Sequence, residues 1–223
     1  MSNNTLLKSI ANRGSVSAER KNLQRFDWLL AALNLFVAEG IDALRITRLA
    51  EELGVTRGSF YWHFSNREDL IDALVDYWRD KNTNAILNAV EDTQSLSEGV
   101  FRLFDTYVDT DLFDPQLDLA IREWARRSDQ IRAEVDDADT RRVQAITDFF
   151  VRYDYPMPQA FIRARVIYFA QIGFYALDVK EPLLTRVSYI EAYYEAYTGQ
   201  QLDAVEAENF RANFLNKFGA KLP

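Results

Sequence analysis

Apolar residues recur along most of the chain at the three- and four-residue steps of an amphipathic helix. Polar positions separate the members of the first clear stripe, which are Leu23, Phe26, Leu30, Leu33 and Val37. Gly40 follows the stripe, and glycine is common where a helix ends because it adopts a positive φ without a steric cost. The pattern therefore predicts a helix that ends at about residue 39.

Two short helical patterns follow in quick succession. The first contains Leu49 and Ala50 and stops at Gly54, and the second runs from about residue 56 to residue 63. The small Ala50 allows the two helices to cross closely, and Gly54 supplies the positive φ of a tight turn. This is helix-turn-helix spacing, in which the first turns of the second helix can enter the DNA major groove. The alternative is an αα-hairpin whose two helices simply pack together.

The rest of the chain also has helical periodicity. Ser65 and Glu68 are spaced as a capping box and predict the start of a long helix over about 66–90. Beyond it the pattern predicts helices at about 96–109, 115–128, 130–153, 158–178, 184–198 and 202–218. Alternating runs long enough for a sheet are absent. The predicted fold class is therefore all-α, with a three-helix N-terminal unit joined through the long helix to a larger helical body.

Composition excludes several kinds of chemistry. The 223 residues include no Cys and one His, which removes disulfides, thiol nucleophiles and multi-His metal sites. The carboxylates lie in polar stretches without a nucleophile or metal-ligand constellation, so we expect no enzyme activity, no metal and no cofactor. The nearly uncharged apolar stretch 166–177 is shorter than the roughly 20 residues of a membrane-spanning helix. The N-terminal residues lack the apolar core of a signal peptide, so we expect a cytoplasmic protein with no membrane partner.

Charge is divided unevenly along the chain. Its net value is −8, yet residues 1–67 carry nine basic and six acidic residues, whereas the remainder carries 17 basic and 28 acidic residues. One interpretation is a basic N-terminal segment that meets a polyanion and an acidic body that does not. The other is ordinary scatter of charge over a soluble surface.

Polar groups are concentrated on the second helix of the helix-turn-helix. Thr56, Arg57 and Ser59 carry donors or acceptors, and Gly58 removes a side chain where the backbone can approach bases. Arginine is the commonest specific reader of guanine. These residues favour DNA binding over a simple packed hairpin.

The aromatic residues of the same segment divide between core and surface. Phe60 and Phe64 are four residues apart on one helical face and are expected in the core. Of Tyr61 and Trp62, at least one is expected to face outward. His63 has two open interpretations, a buried hydrogen-bonded imidazole or a contact with phosphate.

The segment from about residue 23 to residue 81 resembles the N-terminal domain of the tetracycline-repressor (TetR) family of transcriptional regulators. The matching residues are Phe36 to Gly40, Leu49-Ala50, Gly54-Val55 and Thr56 to Phe64, continued by Arg67, Leu70 and Ile71. The resemblance implies a homodimer that binds an operator in double-stranded DNA. It also implies a repressor that an unknown small-molecule effector releases from that operator.

The resemblance also implies roles for individual residues. Thr56 and Arg57 occupy positions that meet base edges, and Tyr61 and His63 occupy positions that touch phosphates. Arg67 stands where the family normally places a lysine on the DNA backbone.

The helix before the recognition helix departs from the family pattern. Thr47 lies where members contact a phosphate or a base, but Arg45 and Arg48 replace the usual Ser/Thr and Asp of a helix cap. A capping interaction is lost, and Arg45 is expected to contact phosphate. The candidate DNA-binding residues are Arg45, Thr47, Thr56, Arg57, Gly58, Ser59, Tyr61, Trp62, His63 and Arg67.

The body has two segments suited to dimerisation. The predicted helix 158–178 is apolar on nearly every face over its second half, and such a helix must be buried all round. A second, aromatic stripe consists of Tyr189, Tyr193, Tyr194 and Tyr197. We therefore expect a homodimer that forms through helices 158–178 and 184–198.

The effector pocket is implied by the resemblance alone. Its weak candidates are Phe104, Tyr107, Trp124 and Tyr168, and a packed core is the alternative for each of them. Arg122 and Arg126 share one helical face, which suits either an anionic ligand or a solvated ion-pair surface.

Three domains follow from these patterns and the resemblance. We expect a flexible arm over 1–17 and a helix-turn-helix DNA-binding domain over 18–67, which extends into the next helix to about residue 82 and has its motif at 45–64. A helical effector-binding and dimerisation domain is expected over 68–223. The alternative function is a helical adaptor, or an enzyme that uses the body and does not bind DNA.

Overall fold

The computed structural model describes residues 23–219, and every regular element in that range is helical. The predicted arm over 1–17 lies outside the described residues. The first half of the fold contains α1 (Arg25–Glu39), a short 3-10 turn (Ile41–Ala43), α2 (Ile46–Leu53), α3 (Arg57–Phe60), α4 (Arg67–Trp78), a π turn (Arg79–Thr83) and α5 (Asn84–Val90). The second half contains α6 (Leu96–Val108), α7 (Pro115–Ala125), α8 (Asp129–Arg152), α9 (Met157–Ala176), α10 (Leu183–Ser188), α11 (Ile190–Thr198) and α12 (Ala204–Phe218). The all-α prediction is confirmed.

The N-terminal unit packs α1 against α2 and α4. The buried face of α1 differs from the predicted stripe, because Trp28 and Phe36 are completely buried whereas Phe26 of the stripe is 53% exposed and only Leu33 of it is buried. The helix ends at Gly40, where φ is +82°. Gly54 ends α2 in the left-handed conformation with φ +69° and ψ +37°. Both glycines lie where the sequence predicts an end of a helix.

The connecting helix differs from its prediction in two details. Asn66, not Ser65, caps α4, because its side chain accepts a hydrogen bond from the Asp69 backbone at 2.8 Å. The Asp69 carboxylate in turn accepts a hydrogen bond from the Ser65 backbone, the residue before the cap. The cap therefore lies one residue later than Ser65 and Glu68 suggest. The predicted helix over 66–90 also contains the π turn, which separates α4 from α5.

The body is built around α8, which packs along α9 and also contacts α7 and α5. The predicted helix over 184–198 is two helices, because the backbone turns at Tyr189 (φ −94°, ψ 13°) between α10 and α11. None of the helices among residues 23–219 is long and apolar enough to span a membrane.

Residues 23–219 form three hydrophobic clusters, and one of them joins the N-terminal unit to the body. This shared cluster extends from α1 and α4 to Leu117 and Ile121 of α7 and to Ile131 and Val135 of α8. The other two clusters lie wholly within the body. Movement of the N-terminal unit against the body must therefore deform a packed core.

Candidate nucleic-acid interface and effector cavity

Packed aromatic side chains hold the recognition helix in place. Phe60 and Phe64 are buried as expected, with ring centroids 5.5 Å apart, and the Trp28 ring of α1 meets Phe60 edge-on at 5.3 Å. The helix itself is shorter than the sequence suggests, because α3 ends at Phe60 and residues 61–63 form turns. Because α3 has only four residues, it is stabilised by the packing of Phe60 and not by its own backbone hydrogen bonds.

The polar residues of α3 face away from that core. Thr56, Arg57 and Gly58 are exposed and Ser59 is half-buried. Arg57 makes no hydrogen bond or ion pair with another residue in the described part of the chain. Its charge is therefore available to an external partner.

Both Tyr61 and Trp62 point to solvent, with exposed fractions of 52% and 87%. The sequence required only one of them to do so. His63 is half-buried, and its imidazole has no hydrogen bond to residues 23–219, so the interpretation as a buried, hydrogen-bonded histidine is not supported. A phosphate contact by His63 stays a prediction.

The start of α2 carries one available arginine. Arg45 is the N-cap residue, gives no side-chain cap, and is exposed, as is Thr47. Arg48 in contrast is neutralised by Glu39 and Glu52, and its bond to Glu39 holds the pKa of that carboxyl below its usual value. Of the two arginines at the start of α2, only Arg45 is therefore available to DNA.

Arg67 has a role inside the fold that sequence reasoning missed. Its Nε donates to the Leu44 carbonyl at 2.6 Å and its Nη2 donates to the Ile41 carbonyl at 2.9 Å. The side chain thus ties α4 to the short 3-10 turn before α2. Nothing in the sequence pattern marks these carbonyls as partners, and the expected contact of Arg67 with the DNA backbone stays a prediction.

The described N-terminal unit is electrically balanced. Residues 23–67 contain five basic and five acidic residues, so the positive excess of the first 67 residues comes from positions 1–22. Positive potential at the candidate interface therefore depends on which side chains are paired. Arg45 and Arg57 are not paired within the described residues, whereas Arg48 is.

A small cavity lies in the body between α6, α9, α10 and α11. Its volume is about 20 Å³, room for about one water molecule. Of the four weak candidates, Phe104 and Tyr107 line it. The lining residues that sequence reasoning missed are Val100, Leu103, Ile167, Gln171, Arg186, Ile190, Tyr193 and Tyr197. The sequence signal that could have identified Arg186 as a buried polar residue is its position as the one charged residue in the otherwise uncharged segment 183–187.

The other two candidates belong elsewhere. Trp124 packs edge-on against Phe36 at 5.9 Å in the cluster shared with the N-terminal unit. Tyr168 is fully buried, and its hydroxyl bonds to Asp139 at 2.6 Å. Neither side chain lines the cavity, since Trp124 is half-buried against the shared cluster and Tyr168 is held in the packed core of the body.

Tyr168 is part of a buried network of charges. Arg142 donates to Asp118 at 3.0 Å and to the Tyr168 hydroxyl at 3.0 Å, while Arg122 bonds to Asp118 at 2.7 Å and to Asp139. Burial raises the pKa of Asp118, but Arg142 and Arg122 outweigh burial and hold it below its usual value. Arg122 is thus occupied within the fold.

Arg126 does not share that environment. It is exposed and pairs with Glu123 at 3.1 Å on the surface of α7. The two arginines that the sequence places on one helical face therefore have different roles, and the anionic site suggested for the pair does not form between them.

One face of α9 is largely apolar and open to solvent in the single chain. Its exposed apolar side chains are Phe161, Ile162, Val166 and Phe169, continued by Leu177 just after the helix. The exposed Arg165 lies over the Phe161 and Phe169 rings. A Cβ atom built on Gly173 would meet no atom within 4 Å, so at this position nothing among residues 23–219 covers the face. Of the aromatic stripe expected beside it, Tyr189 is exposed, Tyr193 and Tyr197 are half-buried and Tyr194 is buried. A part for the segment 184–198 in the dimer contact stays a prediction.

Over residues 23–219 these features define an all-helical fold with a helix-turn-helix and a larger helical body. A profile described as bacterial regulatory proteins, tetR family, matches residues 29–74. The class A tetracycline repressor protein from transposon 1721 of Escherichia coli is 40% identical over 75 residues, which cover 33% of this chain and 35% of that protein. Over this segment the chain is therefore similar to the N-terminal region of TetR-family regulators.

Solved structures extend the likeness to the whole fold. AmtR of Mycobacterium smegmatis superposes with a TM-score of 0.60 at 18% identity and covers 90% of this chain and 98% of its own. The ketosteroid transcriptional regulator KstR2 of Mycobacterium tuberculosis has a TM-score of 0.58 at 18% identity, covering 82% and 96%. The sequence matches span about a third of the length of the curated relatives, so for the body the likeness is one of fold.

Proposed function

We propose that the protein is a sequence-specific DNA-binding transcriptional regulator that represses as a homodimer and leaves its operator when an effector binds the body. The observation that carries the proposal is the unpaired, exposed Arg57 on a short helix anchored by buried Phe60. A guanidinium held in this way at the start of a recognition helix can read guanine in the major groove.

In this proposal the other exposed side chains position the helix on the duplex. Arg45, Thr47, Tyr61 and His63 contact phosphates, which fix orientation without reading sequence. The large exposed surface of Trp62 and the backbone beside Gly58 add contacts at the same face. DNA binding extends over a domain at 18–67 that continues to about residue 82.

The open apolar face of α9 supports the homodimer. Exposed apolar patches of this kind on a protein surface commonly mark interaction sites. A two-fold dimer also places two recognition helices on two half-sites of a palindromic operator, about one helical turn of DNA apart.

The test is selection of binding sites from a randomised duplex library, followed by mobility-shift measurements on the selected duplex. We expect enrichment of an inverted repeat, and a loss of preference at one base pair per half-site with Arg57→Ala. Arg132→Ala is the control, because Arg132 is exposed on α8 and its side chain has no ion pair among the described residues. Absence of any enriched sequence contradicts the proposal and favours the adaptor or enzyme alternative.

A further inference from the structure

The cavity in the body contains a buried cation with incomplete compensation. Arg186 is only 9% exposed, and its Nη2 donates to Gln171 Oε1 at 3.1 Å. Its Nε has no hydrogen bond, and the nearest carboxylate oxygen, on Glu181, is 3.9 Å away. A buried guanidinium without a close anion is costly to the fold, so this site is prepared for a negative group.

No acidic residue lines the cavity. The Phe174 ring, at 4.2 Å, and the Phe104 ring, at 5.6 Å, instead support the guanidinium of Arg186. Aromatic faces attract a cation but leave its N–H donors free. The arrangement can therefore accept a carboxylate, whose two oxygens match the planar fork of arginine.

The remaining lining is apolar or aromatic, with two further polar atoms that have no hydrogen-bond partner, the Tyr107 hydroxyl and Gln171 Nε2. Val100, Leu103 and Ile167 form much of the wall, and the Tyr107 hydroxyl is buried without a hydrogen-bond partner. Burial raises the pKa of Tyr107, so this hydroxyl keeps its proton and is a donor at neutral pH. A pocket with a few convergent polar groups in an apolar wall is typical of small-molecule sites.

We propose that the cavity binds an organic monocarboxylate with an apolar body, and that Arg186 pairs with its carboxylate. This inference rests on the proposed function, in which the body binds an effector, and it assigns the chemical class of that effector. Tyr107 and Gln171 complete the polar end of the site, and the aliphatic wall covers the apolar end.

The cavity must expand to admit such a ligand, because its volume is room for about one water molecule. The half-buried Tyr193 and Tyr197 of α11 form its outer wall. The backbone turn at Tyr189 separates α11 from α10, which carries Arg186. Ligand binding therefore displaces α11 or its two tyrosines from α6, and the displaced tyrosines become more accessible.

Ile167 and Gln171 connect the cavity to the buried charge network. They flank Tyr168 on α9, and the Tyr168 hydroxyl bonds to Arg122 and Arg142. Arg142 in turn bonds to Thr83 at the end of the π turn, at 3.1 Å. A shift of α9 on ligand binding thus reaches the helix that joins the body to the recognition unit.

The test is titration calorimetry of the full chain, without DNA, against phenylbutyrate and octanoate and their uncharged amides. We expect each acid to bind at least about tenfold more tightly than its amide. The Arg186→Met variant should lose this preference while still binding the amides, and it should fold because an apolar residue of similar size replaces a buried ion. Arg132→Met, an exposed arginine on α8, is the matched control and should keep the preference.

Several outcomes would overturn the assignment. They are equal binding of acid and amide by the unaltered protein, no heat with any acid up to millimolar concentration, an acid preference that survives in Arg186→Met, and inorganic phosphate binding as tightly as the acids. Because DNA is absent, none of them depends on operator binding. Failure of the site selection on DNA with intact acid binding would instead contradict the proposed function alone.

Discussion

At the scale of single residues, Arg57 determines base recognition in the proposed complex. Its side chain is exposed and has no ion pair among the described residues, so its removal leaves the fold intact. Arg57→Ala should cost about 1–3 kcal/mol of binding to the selected site and relax preference at one base pair per half-site. Binding to a library of single-base variants measures this effect. An unchanged base preference in Arg57→Ala would show that α3 is not the recognition helix.

Arg67 is expected to act on stability as well as on DNA binding. Arg67→Ala removes the donors to the Ile41 and Leu44 carbonyls and should lower the free energy of unfolding by about 1–3 kcal/mol. If Arg67 also meets a phosphate, the salt dependence of DNA binding falls by about one unit.

Arg67→Lys separates the two effects. Lysine keeps the charge but lacks the planar fork that reaches both carbonyls. The lysine variant should therefore lose stability in urea unfolding and retain the salt slope. An unchanged unfolding free energy in both variants would show that the internal bonds contribute nothing.

At the scale of elements, the buried network fixes the junction between the recognition unit and the body. Trp78, the last residue of α4, donates to Asp118 at 2.8 Å, and Thr83, the last residue of the π turn, accepts from Arg142. The start of the π turn is therefore bonded to α7, and its end is bonded to α8. Asp118 is the residue that both arginines and the tryptophan share.

Asp118→Asn should destabilise the fold by about 3–5 kcal/mol, since it leaves the buried Arg142 without a carboxylate partner. The exposed pair of Glu123 and Arg126 is the control, and Glu123→Gln should change stability by about 0–1 kcal/mol. Urea unfolding at neutral pH measures both variants. A cost for Asp118→Asn no larger than that of the control would contradict the role of the network.

The same carboxylate gives a pH dependence of known sign. The pKa of Asp118 is lowered in the folded protein, so its contribution to stability is complete above the unfolded value of about 3.9 and is lost as the pH falls through the folded value. Acid unfolding of the unaltered protein should be steeper in this range than that of Asp118→Asn. Parallel curves would show that Asp118 does not titrate with folding.

At the scale of the whole molecule, the sequence predicted the fold class and the position of most helices. The end of α1 at Gly40, the turn at Gly54 and the buried Phe60 and Phe64 follow from spacing and steric rules that act locally. The bonds of Arg67 and the Asp118 network did not follow, because each joins residues far apart in the chain. The break at Tyr189 was missed because apolar periodicity continues across it.

The open face of α9 indicates how two chains meet, and Gly173 is the position that tests it. The space around Gly173 is free in the single chain, so Gly173→Arg should fold as a monomer and place an unpaired charge in the proposed interface. Such a charge costs several kcal/mol in a desolvated contact, and we expect light scattering to show half the mass of the unaltered protein. Ala133→Arg, on the exposed side of α8, is the control and should leave the dimer intact. An unchanged mass for Gly173→Arg, or a monomeric unaltered protein at micromolar concentration, would exclude this face as the dimer contact.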